Sequence, residues 1–162
     1  MTLLVGLGLI FQLFGQQNYT HIQKDIFYEG SQYFFENDYE SALYVFNELY
    51  AVDTGFSEIN FMMGVCLMKI RGRRDEAFPY LLKAEKGDIG EADFWLGRAY
   101  HLRMDFENAL KHYKIYEQAP IKEISKEEIK RYIDISLKAK EMVAHPVDAD
   151  IINIGPGINT KY

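Results

Sequence analysis

Three tetrapeptides limit what this chain can fold into: Phe27-Tyr28-Glu29-Gly30, Phe61-Met62-Met63-Gly64 and Phe94-Trp95-Leu96-Gly97. Gly64 stands 34 residues after Gly30, and Gly97 stands 33 after Gly64. A fixed period of this length marks a stacked supersecondary unit that cannot bury its apolar face alone. Each Gly is followed three residues later by a large side chain, Tyr33, Leu67 or Tyr100. Twelve or thirteen residues after the Gly comes a small one, Ala42, Ala77 or Ala109. Four further on stands another large residue, Phe46, Leu81 or Tyr113.

These offsets have a physical meaning. Positions three and four apart share one helical face. The Gly lets a second helix approach the first closely. The Ala does the same from the second helix, and the large residue four later fills the space beside it. Asn37, Gly72 and Asp105 mark the intervening turns, with second helices expected to begin near Tyr39, Asp75 and Phe106. The unit is therefore a helix-turn-helix, and the chain reads as all-α.

This pattern resembles the tetratricopeptide repeat family. The third copy carries the resemblance best, through Leu96, Gly97, Tyr100, Phe106, Ala109, Tyr113 and Pro120. The first copy has Glu29 in place of Leu, and the second has Leu67 in place of Tyr and a turn one residue longer. The resemblance implies a helical-hairpin solenoid over residues 17–143. Its repeats would cover about 20–53, 55–86 and 88–120, followed by a capping helix at about 125–143. Ser125 and Glu128 suit a capping box for that last helix, with Ile129, Ile133, Leu137 and Lys140 along one face. Tyr132, Ser136 and Ala139 lie alongside, and the His145-Pro146 pair is expected to end the helix.

Both termini read differently from the centre. Residues 1–16 contain an apolar run from Leu3 to Phe14, too short for a bilayer span but suited to a secretory signal peptide, although no Lys or Arg precedes it. Export to the periplasm is the expectation, with a cytoplasmic chain and an apolar first helix as the alternative. Residues 144–162 read as a short extended tail in which Ile151 to Ile154 has strand character. The tail, from Val147 to Gly155 with Asn159 and Tyr162, resembles a junction in a group of Bacteroidota envelope proteins. In that group tetratricopeptide repeats precede a WD40-like propeller and an OmpA-like peptidoglycan-binding domain. The peptidoglycan-binding component of the type IX secretion system is a member. The resemblance implies an outer-membrane-associated protein, of which this chain would be the amino-terminal part.

Composition excludes some functions. The net charge is −6, and the densest basic cluster, Arg71-Gly72-Arg73-Arg74, is short and reads as a solvated turn. Phosphate-backbone binding needs more clustered cations than that, so nucleic acid is not an expected partner. Cys66, the only cysteine, lies in an apolar run, which rules out an intramolecular disulfide and suits an inert buried thiol. His21, His101, His112 and His145 show no metal-ligand spacing, and no nucleophile motif or phosphate loop occurs. No catalytic residue, metal or cofactor is expected.

What is left for function is surface. In the family resembled, first helices line a concave groove. Counting from each Gly places Phe27, Ser31 and Phe34, then Phe61, Val65 and Met68, then Phe94, Arg98 and His101 along it. The Phe row has two readings: packing between neighbouring first helices, or an apolar groove with aromatic anchors for a partner segment. The expected function is a non-enzymatic protein-interaction scaffold of the cell envelope. Its partner would be a protein or peptide, an envelope or secretion component, with membrane contact only through partners. The alternatives are a structural spacer that presents downstream domains, and a cytosolic adaptor.

Overall fold

A computed structural model describes residues 19–87, 89–120 and 123–147. Seven helices occupy them: α1 (His21–Phe35), α2 (Tyr39–Val52), α3 (Ser57–Lys69), α4 (Phe78–Glu85), α5 (Ala92–Leu102), α6 (Phe106–Gln118) and α7 (Lys126–Ala144). Each packs on its neighbours in sequence, in a helical-hairpin arrangement, and α3 also touches α5. No helix among the described residues is long and apolar enough to cross a membrane. The signal-peptide reading of residues 1–16 and the strand reading of Ile151 to Ile154 lie outside the described residues.

The periodic glycines sit at close approaches within the hairpins. A Cβ built on Gly30 would lie 2.6 Å from the Phe46 ring, and one on Gly64 would lie 2.6 Å from Leu81. On Gly97 the same atom would lie 2.7 Å from the Tyr113 ring. The large residue of each second helix thus lies directly over the Gly of the first. Ala42, Ala77 and Ala109 are fully buried beside these contacts.

The turns repeat as well. Asn37, Gly72 and Met104 adopt positive φ, at 63°, 84° and 60°. Asp105, expected to mark the third turn, instead caps α6: its Oδ1 accepts from the Asn108 backbone N–H at 3.2 Å. Asp38 caps α2 in the same way, through Ser41 at 3.1 Å. The second hairpin differs from the expected helix start at Asp75. A 3₁₀ turn, Arg74–Ala77, comes first, and α-helix begins only at Phe78. Pro79 sits in the first turn of that helix, where its missing N–H costs no hydrogen bond.

At the start of α1, Thr20 and Gln23 make a complete capping box that the sequence reading did not note, although its Thr-x-x-Gln signature is present. At the start of α7, Ser125 Oγ accepts from the Glu128 N–H at 3.1 Å, one half of the box expected there. Leu137 is half exposed, contrary to the face assigned to α7. Ile129 and Ile133 of that face do turn inward, but toward its end the neighbouring Ser136 is buried in place of Leu137, since Ser136 bonds His101 while Tyr132 packs on Phe94 and Tyr113.

α3 forms the centre of the core. Every residue from Glu58 to Met68 is buried. A helix that is apolar on all sides is enclosed on all sides. Cys66 lies within it, and burial pushes its thiol pKa up to about 12, so little thiolate exists near neutrality.

Candidate partner-binding site

The nine residues assigned to a groove divide sharply by burial. Phe27, Ser31, Phe61, Val65, Met68 and Phe94 are all buried. This corrects the reading of an aromatic row open to a partner. It agrees with the alternative in which the Phe row is packed, and the ring contacts of Phe27 and Phe94 include residues of second helices. Phe27 lies against Phe46 of its own hairpin, with ring centroids 6.0 Å apart. Phe94 meets Tyr113 and Tyr116 of α6, and Tyr132 of α7 edge-on at 5.3 Å. Ser31 has no free hydroxyl to offer, since its Oγ donates to the Phe27 carbonyl at 2.7 Å. The physical reason is that helical spacing identifies residues sharing a face without saying whether that face is covered.

Three of the nine, Phe34, Arg98 and His101, are half-buried. Phe34 is held edge-on by Phe35 and Tyr39. His101 Nδ1 lies 2.8 Å from Ser136 Oγ, joining α5 to α7. Burial, and then the neighbouring Arg98 charge, hold the His101 pKa below its ordinary value.

Arg98 belongs to a more informative group. Its guanidinium lies over the Trp95 ring at 5.1 Å and the Tyr132 ring at 5.3 Å. Lys69, at the end of α3, places its ammonium over the same Trp95 at 5.2 Å and over Tyr39 at 6.0 Å. Two cations thus share one indole, each also resting on a tyrosine. Burial lowers the Lys69 pKa and the Arg98 charge lowers it further, while Glu128 opposes the shift. Among the described residues neither Lys69 nor Arg98 forms an ion pair with a carboxylate. In a chain with more acidic than basic residues, two neighbouring cations without a paired anion are a local concentration of positive potential.

The sequence reading named Arg98 and missed Lys69. The available signal was its place directly after Met68, one step round the helix from the assigned row. The tyrosine supports come from α2 and α7, which no spacing within α3 or α5 reveals.

No protein-family model matches this chain, and no curated protein matches it.

Proposed function

We propose that this chain is a non-enzymatic interaction module, a tetratricopeptide-type solenoid of three repeats and a capping helix. Its partner is a protein segment that carries carboxylates. The carrying observation is the pair Lys69 and Arg98, seated on Trp95 and, among the described residues, in no ion pair, with Glu128 acting on Lys69 only through its field. Aromatic faces hold both cations at fixed positions, so a carboxylate that arrives meets charge already in place. A carboxylate accepted between them would offset the burial, and then the Arg98 repulsion, that depress the Lys69 pKa. The apolar run of residues 1–16 and the resemblance of the tail support export and a place in a periplasmic, outer-membrane-associated assembly.

A spacer that holds downstream domains at a set distance is the second reading. The burial of six of the nine assigned groove residues favours it, since a spacer needs a core and no groove.

One experiment separates the two. The wild-type chain and a Lys69→Gln/Arg98→Gln variant are immobilised and exposed to an envelope extract of the source cell under crosslinking. Both substitutions fall on incompletely buried side chains, and circular dichroism checks that the variant folds. The interaction module predicts a partner recovered with wild type and lost with the variant. Equal recovery, or no specific recovery with either, leaves the spacer.

A further inference from the structure

Three donors from three helices converge at the junction of the second and third hairpins. His112 of α6 is buried, and its imidazole stacks on Tyr100 with ring centroids 5.3 Å apart and planes 10° from parallel. The stack fixes the ring so that Nδ1 faces two carboxylates. Asp93 Oδ1, from the first turn of α5, lies 2.7 Å away, and Glu85 Oε1, from the last turn of α4, lies 3.8 Å away. All three donor atoms fall within 4.8 Å of one another.

A hydrogen bond accounts for only part of this arrangement. Nδ1 carries at most one proton, and Asp93 at 2.7 Å is the acceptor placed to take it. Glu85, at 3.8 Å, is left facing the same nitrogen and a second carboxylate without a proton to share. A divalent cation would satisfy all three at once. With donor separations of 2.7 and 3.8 Å and the third below 4.8 Å, a common point lies roughly 1.9–2.4 Å from each atom. That is about the length of zinc bonds to imidazole nitrogen and carboxylate oxygen. The His112–Asp93 contact would have to open to about 3.3 Å, the edge of a tetrahedral zinc site.

We propose that Glu85, Asp93 and His112 form a site for a divalent transition metal that ties α4, α5 and α6 together. The donor set, one imidazole and two carboxylates, suits Zn²⁺ or Co²⁺ rather than Ca²⁺ or Mg²⁺, which take oxygen ligands, or Cu⁺, which takes sulfur. Three protein ligands leave a position for water, and the partly exposed Glu85 side chain marks the solvent side. Binding requires the Nδ1 lone pair, so the proton moves to Nε2 or leaves, and affinity falls with acidity. His101 takes no part, its Nδ1 being turned to Ser136 of α7.

The test uses tag-free protein stripped with a chelator and titrated with ZnCl₂ or CoCl₂, followed by calorimetry and thermal unfolding. Wild type is expected to bind one equivalent and to gain several degrees in Tm, with no such gain from MgCl₂. Glu85→Gln removes a ligand from a partly exposed side chain that makes no hydrogen bond to His112, so the fold survives. This variant is expected to weaken binding at least tenfold, and Asp93→Asn to do the same, while His101→Gln binds as wild type does. Absence of saturable one-equivalent binding in wild type overturns the proposal. So does binding that Glu85→Gln leaves unchanged, or binding that His101→Gln abolishes.

Discussion

Gly97 and Tyr113 form one contact between two helices: a Cβ built on Gly97 would lie 2.7 Å from Tyr113 Cε1 and 3.2 Å from the Ala109 carbonyl oxygen. Tyr113 is fully buried with its ring against Phe94 and Tyr132, and the carbonyl is backbone. Gly97→Ala therefore sets two effects against each other. Helix propensity favours Ala by about 1 kcal/mol, while overpacking a closed contact costs about 1–3 kcal/mol. The steric cost wins, and urea unfolding should show a net loss of about 1–2 kcal/mol. Gly90, with nothing within 4 Å of a built Cβ, is the control. Gly90→Ala should leave stability within about 0.5 kcal/mol.

Tyr113 and Tyr116 are both buried on α6, yet their hydroxyls have opposite worth. Tyr116 Oη donates to the Glu91 carboxylate at 2.6 and 2.7 Å and accepts from the backbone N–H groups of Glu123 and Ile124. It pins the end of α6 to the start of α5 and to the segment leading into α7. Among the described residues, Tyr113 Oη is buried with no hydrogen-bond partner. Tyr116→Phe leaves the partly buried Glu91 carboxylate with the Glu123 N–H alone and takes the acceptor from the Ile124 N–H, so it should cost about 2–3 kcal/mol. Tyr113→Phe removes an unsatisfied hydroxyl without altering the ring over Gly97, so it should be neutral or stabilising by up to about 1 kcal/mol. Chemical denaturation of the two variants side by side tests the contrast. Equal losses would refute it.

How much of this was legible beforehand follows from what each feature requires. Close approach of two helices demands a residue without a side chain, so Gly30, Gly64 and Gly97 stood out in the sequence, and so did the residues that lie over them. Coverage of a face makes no such demand. Phe61, Val65 and Met68 carry the same spacing whether α3 lines a groove or is enclosed, and the structure encloses it. Groups assembled from separate helices were beyond reach for another reason. Lys69 meets Arg98 only through Trp95, and Glu85 meets His112 only through the docking of α4 on the third hairpin.

His101 makes stability depend on pH. Its folded pKa lies below the ordinary value of 6.5, because burial and then Arg98 disfavour the imidazolium. The unfolded chain therefore binds more protons near pH 6, and stability rises with pH there. The contribution is fully present above about 6.5, the ordinary histidine value, and is lost as pH falls through the folded pKa. His101→Gln keeps a hydrogen-bonding group toward Ser136 and removes the titration. Unfolding curves at pH 7.5 and 5.5 should show a smaller drop for the variant than for wild type. An equal drop would place the pH dependence elsewhere.

Met104 and Gly72 hold equivalent turn positions with φ of 60° and 84°, yet only one of them is a residue suited to that conformation. A left-handed backbone costs an L-residue with a Cβ roughly 1–2 kcal/mol. Met104 gains little in return, since its side chain is largely exposed. Met104→Gly removes the strain but adds freedom to the unfolded chain, worth about 0.5–1 kcal/mol in the opposite direction. The net expectation is a stabilisation of about 0.5 kcal/mol. Gly72→Ala runs the comparison in reverse. Nothing lies within 4 Å of its built Cβ, so only the backbone conformation is at issue, and a loss of about 1 kcal/mol is expected. Thermal unfolding of both variants should move Tm in opposite directions. A loss in both would mean that the Met104 side chain holds the third turn by contacts along its stem.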